Sequence, residues 1–227
     1  MKTTLLLSLS ILTLGAAAAH GQLAATGGTT HNLTLDVENK GAGGASTSTG
    51  GGLPNPGPNN NNNNNNTATT TSTQTRNHAT TLEVSIRSLD KTQDQVIVEW
   101  YFFGKKVQNH RAGKESVFDS GTKTVSIAPT GGAVFDITSK VAQTTRTTRT
   151  TATNNNNNGN QGNANNRNNN ISYTTDEQQS GTEISGWVVR MIVDGRVYDA
   201  KGSEFKYEDA AKDPDKFAQL KAGKYNE

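Results

Sequence analysis

The side chains that most often carry chemistry are few in this sequence, and their spacing argues against a metal site. No two of the four histidines are separated by the i, i+4 interval of helical metal ligands, and there is no HExxH motif. The chain also contains no cysteine, which excludes thiolate ligands, a cysteine nucleophile and disulfides. We therefore expect neither a metal ion nor a cofactor. The four histidines are His20, His31, His78 and His110.

One carboxylate lies within an apolar segment and could in principle act in catalysis. Glu99 stands between Ile97 and Tyr101, and Arg190 has the corresponding position in a later apolar segment. If these segments are neighbouring strands, Glu99 and Arg190 form a cross-strand ion pair. An arginine beside a carboxylate lowers the pKa of that carboxylate, which suits a structural pair better than a general acid or base.

Other catalytic signatures are missing. No serine lies in a Gly-x-Ser-x-Gly turn, and no glycine-rich run continues into Gly-Lys-Ser/Thr. The net charge of +2 does not indicate a nucleic-acid-binding surface. We predict that the protein is not an enzyme and does not bind nucleic acid, with an enzyme of unrecognised type as the remaining alternative.

The elements that must position these side chains are strands, because apolar and polar residues alternate along several short segments. The clearest are 31–39, 81–87 and 95–103, followed by a hairpin over 184–199 that turns at Asp194-Gly195. Shorter candidates lie at 116–119, 122–128 and 133–138. Seven or eight strands of this kind predict an all-β fold, an antiparallel β-sandwich.

A helix is predicted near the end of the chain, within a C-terminal segment at 203–227. Asp213 suits the N-cap, Pro214 the first helical position and Gly223 the residue after the last turn. Because the helix is short, it must pack against the sheet to persist.

The outward face of the strand at 95–103 is a candidate interaction face. Large apolar residues on that face and on the neighbouring strand would mark a contact site if they are exposed. The alternative, which we favour, is that the apolar residues of the C-terminal segment cover this face. The candidate face comprises Ile97, Tyr101, Phe103, Val188 and Ile192, and its expected cover comprises Phe205, Tyr207, Phe217 and Leu220.

Three segments are expected to lie outside the packed domain. Residues 1–21 have the basic start, the apolar run of about ten residues and the small residues of a secretory signal, and the run is shorter than the roughly 20 residues of a membrane span. Residues 41–78 and 142–170 are rich in Gly, Thr and Asn, and we predict that they are disordered insertions in one domain over 22–227. A glycosylated or partner-binding role for these insertions is the alternative.

The strand pattern resembles immunoglobulin-like or fibronectin-III-like modules of secreted bacterial proteins. The resemblance rests on Trp100 in the third strand and on a long penultimate strand with a tight final hairpin, and it covers 30–40, 79–140 and 183–200. The inter-sheet cysteine pair of antibody domains is missing. The resemblance implies a β-sandwich and a role in adhesion or envelope architecture, and it transfers no functional residue.

These observations predict an exported protein, periplasmic or extracellular, with no membrane span after signal cleavage. Its expected role is that of a non-catalytic structural or protein-interaction module of the cell envelope. The alternative is a carbohydrate- or peptide-binding accessory protein that uses the aromatic sheet face. The expected partner is an envelope or extracellular protein or a glycan.

Overall fold

The computed structural model describes residues 31–55, 66–89, 94–154 and 171–225. The predicted all-β antiparallel class is confirmed within these ranges. The predicted signal at 1–21 lies outside them. Eight strands and two helices follow one another in the order β1 Leu33–Gly50, β2 Asn66–Ser88, β3 Asp94–Gln108, β4 Arg111–Ile127, β5 Gly132–Thr138, β6 Ala142–Asn154, β7 Ile171–Val193, β8 Arg196–Gly202, α1 Phe205–Lys212 and α2 Pro214–Lys221.

The eight strands form one sheet that divides into two layers. Its continuous path runs β1-β2-β6-β7-β3-β4, with β5 added to β2 and β8 added to β7. Residues 66–78 of β2 pair with β6, and residues 81–87 pair with β5. Similarly, residues 171–181 of β7 pair with β6, and residues 188–193 pair with β8. The part of the fold around β6 is therefore a single layer of strands, and the rest of the fold has two layers.

Ser139 makes hydrogen bonds at the point where β2 changes from pairing with β6 to pairing with β5. Ser139 lies between β5 and β6, and its Oγ accepts a hydrogen bond from the backbone N–H of Thr80 at 3.0 Å. The backbone N–H of Ser139 donates in turn to the carbonyl of Thr80 at 2.9 Å. Both residues are buried, so the break between the two ladders leaves these groups satisfied.

The core lies between the two layers, as in a sandwich. Alternate residues of β1 and β2 meet alternate residues of β3 and β7, which explains the period-two patterns of the sequence. Full burial of each large side chain stabilises the fold by about 1.5–3 kcal/mol. The side chains with no exposed surface in this cluster include Leu82, Val84, Ile86, Val96, Val98, Phe102, Ile127, Val189 and Met191.

The predicted disorder of 41–78 and 142–170 was wrong where the chain forms strands. Residues 41–50, 66–78, 142–154 and 171–181 form four hydrogen-bonded strands that we call the polar extension. Residues 51–55 have no regular secondary structure, and residues 56–65 and 155–170 lie outside the described residues.

Threonine explains how the polar extension forms without an apolar core. It favours the extended backbone, and paired threonines on adjacent strands stabilise a sheet by about 0.2–1 kcal/mol each. β2 and β6 place threonine opposite threonine repeatedly. The Oγ1 atoms of Thr69 and Thr151 lie 3.3 Å apart, and those of Thr75 and Thr145 lie 3.5 Å apart.

The C-terminal segment contains two helices where the sequence predicted one. In α2 the carboxylate of Asp213 accepts hydrogen bonds from the backbone N–H groups of Asp215 and Lys216, at 2.9 and 3.0 Å. Gly223 follows the helix with a φ of +65°. These features confirm the predicted start and end. The additional helix, α1, has no side-chain cap at Glu204, so its start carries no sequence signal.

Candidate functional site

The candidate interaction face on β3 and β7 lies largely beneath the two helices. Phe103 and Val188 have no exposed surface, so neither can contact a partner. The ring of Tyr207 stacks on Phe103, with 5.4 Å between ring centroids and 20° between planes. The edge of Phe217 meets Tyr101 at 5.0 Å and 82°. The C-terminal segment therefore covers this part of the face.

Ile97 and Ile192 lie outside that cover. Ile97 retains 40% of its surface, and its cross-strand partner Ile192 is half-buried. Phe205, which was expected to contribute to the cover, is 81% exposed instead. The expected cover thus consists of Tyr207, Phe217 and Leu220.

Two glycines in the sheet permit the close approach of Tyr207. A Cβ atom at Gly186 would overlap Cε2 of that ring, and one at Gly202 would lie 2.9 Å from the Tyr207 Cβ. Such approaches are too close for unbonded carbon atoms, so any other residue would displace the tyrosine. Gly186 and Gly202 are on β7 and β8, which fixes α1 against both strands.

Glu99 and Arg190 form the predicted ion pair. They are direct cross-strand partners, and Nη1 of Arg190 lies 3.3 Å from Oε2 of Glu99. Phe217 covers the guanidinium, with 4.2 Å between Cζ and the ring centroid. Burial raises the pKa of Tyr101, and the nearby Glu99 carboxylate raises that pKa further. The carboxylate is thus fixed against a permanent cation, an arrangement that suits a static pair.

A second polar cluster joins the helices to the sheet, and sequence reasoning missed it. The carboxylate of Glu115 accepts hydrogen bonds from the hydroxyls of Ser185 and Tyr207. Burial, followed by the hydrogen bond to Glu115, raises the pKa of Tyr207 well above its ordinary value. The neutral hydroxyl donates to the carboxylate, which satisfies both groups at a partly buried position.

The polar extension carries a cavity of about 500 Å³. Its lining spans β1, β2, β6 and β7, and includes Ser46, Arg76, His78, Thr144 and Glu183. A narrower cleft of about 150 Å³ shares Arg76, Thr144 and Glu183 with it and adds His110. Arginine, histidine, threonine and glutamate side chains contribute to both linings.

Neither His78 nor His110 belongs to a group of possible metal ligands within the described residues. Nε2 of His110 lies 3.1 Å from the backbone carbonyl oxygen of Glu177. Across the described residues, no group of three or more His, Asp and Glu side chains has the geometry to hold a metal ion. The described helices are all too short to cross a membrane.

The outer edge of β1 is the remaining feature of interest. Within the described ranges, β1 pairs with β2 alone, so its other side has no neighbouring strand. The glycine, alanine, serine and threonine residues of 41–50 make up the far half of that edge. No protein-family model, curated protein or solved structure matches this chain.

Proposed function

We propose that the chain is a non-catalytic, exported module of the cell envelope that acts as a structural or protein-interaction element. The observation that supports this most strongly is the polar extension. Its four strands continue the sheet beyond both apolar clusters and add no large side chain to either. Because the extension contributes so little to the core, its surface is available for contacts with another protein.

The state of the ionisable groups supports a non-catalytic role. Glu99 is held by Arg190, and Glu115 accepts two hydroxyl donors. Glu115 binds the hydroxyl of Tyr207 on α1, and Glu99 pairs with the Arg190 guanidinium on which Phe217 of α2 packs. Neither carboxylate lies in the two clefts of the extension.

The aromatic platform of the alternative function is less well supported by the geometry. A sugar-binding face needs exposed aromatic rings. Phe103 is fully buried, and Tyr101 is half-buried against Phe217. The two-layer arrangement around the core supports the proposed immunoglobulin-like character. The proposal of export to the periplasm or beyond rests on the signal sequence predicted at 1–21.

Site-specific photo-crosslinking in the cells that make the protein tests this function. A benzophenone amino acid replaces exposed Thr71 on β2 of the extension, and the matched control replaces exposed Ser126 on β4. We expect a protein adduct of one defined mass from position 71 in the envelope or extracellular fraction, and none from position 126.

Two outcomes would contradict the proposal. One is a glycan adduct at Thr71, which would favour the carbohydrate-binding alternative. The other is the absence of any adduct from Thr71 and from the neighbouring exposed Thr69, because an interaction module must contact its partner through exposed residues.

A further inference from the structure

The far half of β1 has no strand partner on its outer side among the described residues, although the backbone N–H of Gly41 donates to Oδ1 of Asn39 at 2.9 Å. We call Gly41–Gly50 the open edge. In an antiparallel strand, alternate residues direct both N–H and C=O away from the neighbouring strand. On the open edge these groups have no strand partner among the described residues. Water or an added strand must therefore satisfy them.

The open edge also lacks the features that protect other strand edges. It contains no charged residue and no proline. The opposite edge of the sheet, β4, carries five charged side chains, and β5 and β8 are only seven residues long. Charged residues and short strands are the usual protection against pairing with another chain. The charged residues of β4 are Arg111, Lys114, Glu115, Asp119 and Lys123.

The near half of β1 is protected, which confines the unprotected region to 41–50. Nζ of Lys40 lies 3.1 Å from Glu38 and 3.2 Å from Glu83. Farther along, the backbone N–H of Leu33 reaches the hydroxyl of Tyr198 at 3.4 Å. Both halves pair antiparallel with β2, with a register shift between Asn39 and Gly41. Beyond that shift, the two halves differ in side-chain charge and in the side chains that cover them.

We propose that the open edge pairs antiparallel with the open edge of a second copy of this chain, so that two polar extensions join in one continuous sheet. The proposal rests on the function proposed above, because it names the partner of that module. Antiparallel pairing of one segment with itself gives a closed two-fold interface. It brings no like charges together, because the segment has none.

The open edge is accessible to an added strand. Residues 41 and 43–50 are exposed, and none of them has a side chain larger than threonine. No bulky side chain of the edge therefore screens its backbone groups from a strand at the usual separation of about 4.8 Å.

Single-cysteine variants test the pairing directly, because the chain has no cysteine of its own. In a two-fold antiparallel pair, only a residue at or next to the axis lies opposite its own copy. Cysteine is placed in turn at each position from 43 to 48 in the full chain and oxidised with oxidised glutathione. We expect disulfide-linked dimers at one position or two adjacent ones, and a wild-type dimer by light scattering.

Matched controls place cysteine at exposed positions on β4, Ser116 and Ser126, where we expect no linked dimer. Substitution of Ala45 by Lys adds a charge to the edge and should weaken dimerisation at least about tenfold by charge repulsion. Ser126→Lys, on β4, should leave the dimer intact. Circular dichroism establishes that each variant is folded.

A wild-type monomer at the highest attainable concentration would overturn the proposal. So would equal disulfide yields at all positions, which indicate random collision. A monomeric Ala45→Cys variant whose introduced thiol resists alkylation would overturn it by showing that another part of this chain covers the edge. If the Thr71 crosslinker still captures a different protein in any of these cases, the inference fails and the proposed function stands.

Discussion

Tyr207 attaches the C-terminal segment to the sheet through both parts of its side chain. Its ring stacks on Phe103, and its hydroxyl donates to the carboxylate of Glu115. A hydrogen bond to a charged acceptor contributes about 1.5–3 kcal/mol to stability. Tyr207→Phe removes that bond and leaves the ring in place. We expect the variant to fold with its free energy of unfolding lowered by about this amount at neutral pH.

The raised pKa of Tyr207 makes this difference depend on pH. An unfolded tyrosine ionises near 10, whereas the folded state holds the Tyr207 proton to higher pH. Above pH ~10 the unfolded state therefore binds fewer protons than the folded state, and stability falls by up to about 1.4 kcal/mol per pH unit. Tyr207→Phe lacks this contribution, so the gap between the two proteins should narrow as pH rises above ~10.

Urea unfolding at a series of pH values measures that gap. Tyr101 also has a raised pKa, but it is present in both proteins and its contribution cancels in the difference. A gap that stays constant from neutral pH to well above pH ~10 would contradict the assignment of the shift to Tyr207.

The sequence predicted the Glu99–Arg190 pair but not the cluster around Glu115, and the reason is geometric. Glu99 and Arg190 lie on regular parts of their strands, so strict alternation gives their orientation. The register of β3 and β7 shifts at Phe103, which leaves Ser185 as an extra residue in β7. Such a bulge reverses the alternation on one side, and its position is not encoded in residue type. The contact of Ser185 with Glu115 was therefore unpredictable.

At the scale of elements, the two helices are held by a few apolar side chains. Phe217 is 2% exposed and packs on Tyr101 and on the Arg190 guanidinium, whereas Phe205 is 81% exposed. Phe217→Ala should therefore lower the free energy of unfolding by about 3–5 kcal/mol, through lost burial and the cavity left behind. Phe205→Ala is the matched control, with an expected change within about 0.5 kcal/mol.

Thermal and urea unfolding of the two variants provides the comparison. Equal losses would mean that α2 is not held by Phe217.

The packing of the α1–α2 segment against the sheet could be predicted from the sequence, because its apolar residues had no other surface to cover. The exposure of Phe205 could not be predicted. That residue begins α1, and the direction of its side chain depends on where the uncapped helix starts.

The strands of the core could be predicted from the sequence, whereas those of the polar extension could not. Core strands alternate apolar and polar residues and were found, although β4 unites two predicted short strands. The extension has polar residues on both faces, so no periodicity marks it. Its order depends on β2 and β7, which continue from the core and place their polar halves on either side of β6. That tertiary arrangement has no local sequence signal.

At the scale of the whole molecule, the core and the polar extension differ in composition, because the large apolar residues belong to the core. Every large buried side chain of the two apolar clusters lies outside 43–79 and 145–180. Replacing each of these ranges by Asn-Gly preserves strand pairing at the cut, because Ala42 pairs with Thr80 and Thr144 pairs with Gly181. Asn-Gly is a favoured two-residue hairpin turn.

We expect the shortened chain to fold with its core intact and its free energy of unfolding changed by no more than about 2–3 kcal/mol. The deletion removes cross-strand threonine pairs worth a few tenths of a kcal/mol each. It also shortens two segments whose ends must come together on folding. Each halving of such a loop lowers the entropic cost of closing it by about 0.6 kcal/mol. These effects oppose each other, while the apolar burial that supplies most of the stability is retained.

Near-ultraviolet circular dichroism and urea unfolding test the result, because the core includes Trp187 and Phe102. Removal of 203–227 is the contrasting deletion, and it should unfold the chain by exposing Phe103 and Val188. The shortened chain should also be monomeric, since it lacks the open edge. A shortened chain that is unfolded would show that the polar extension is needed for folding, and its strands would then have a structural role in addition to any contact with a partner.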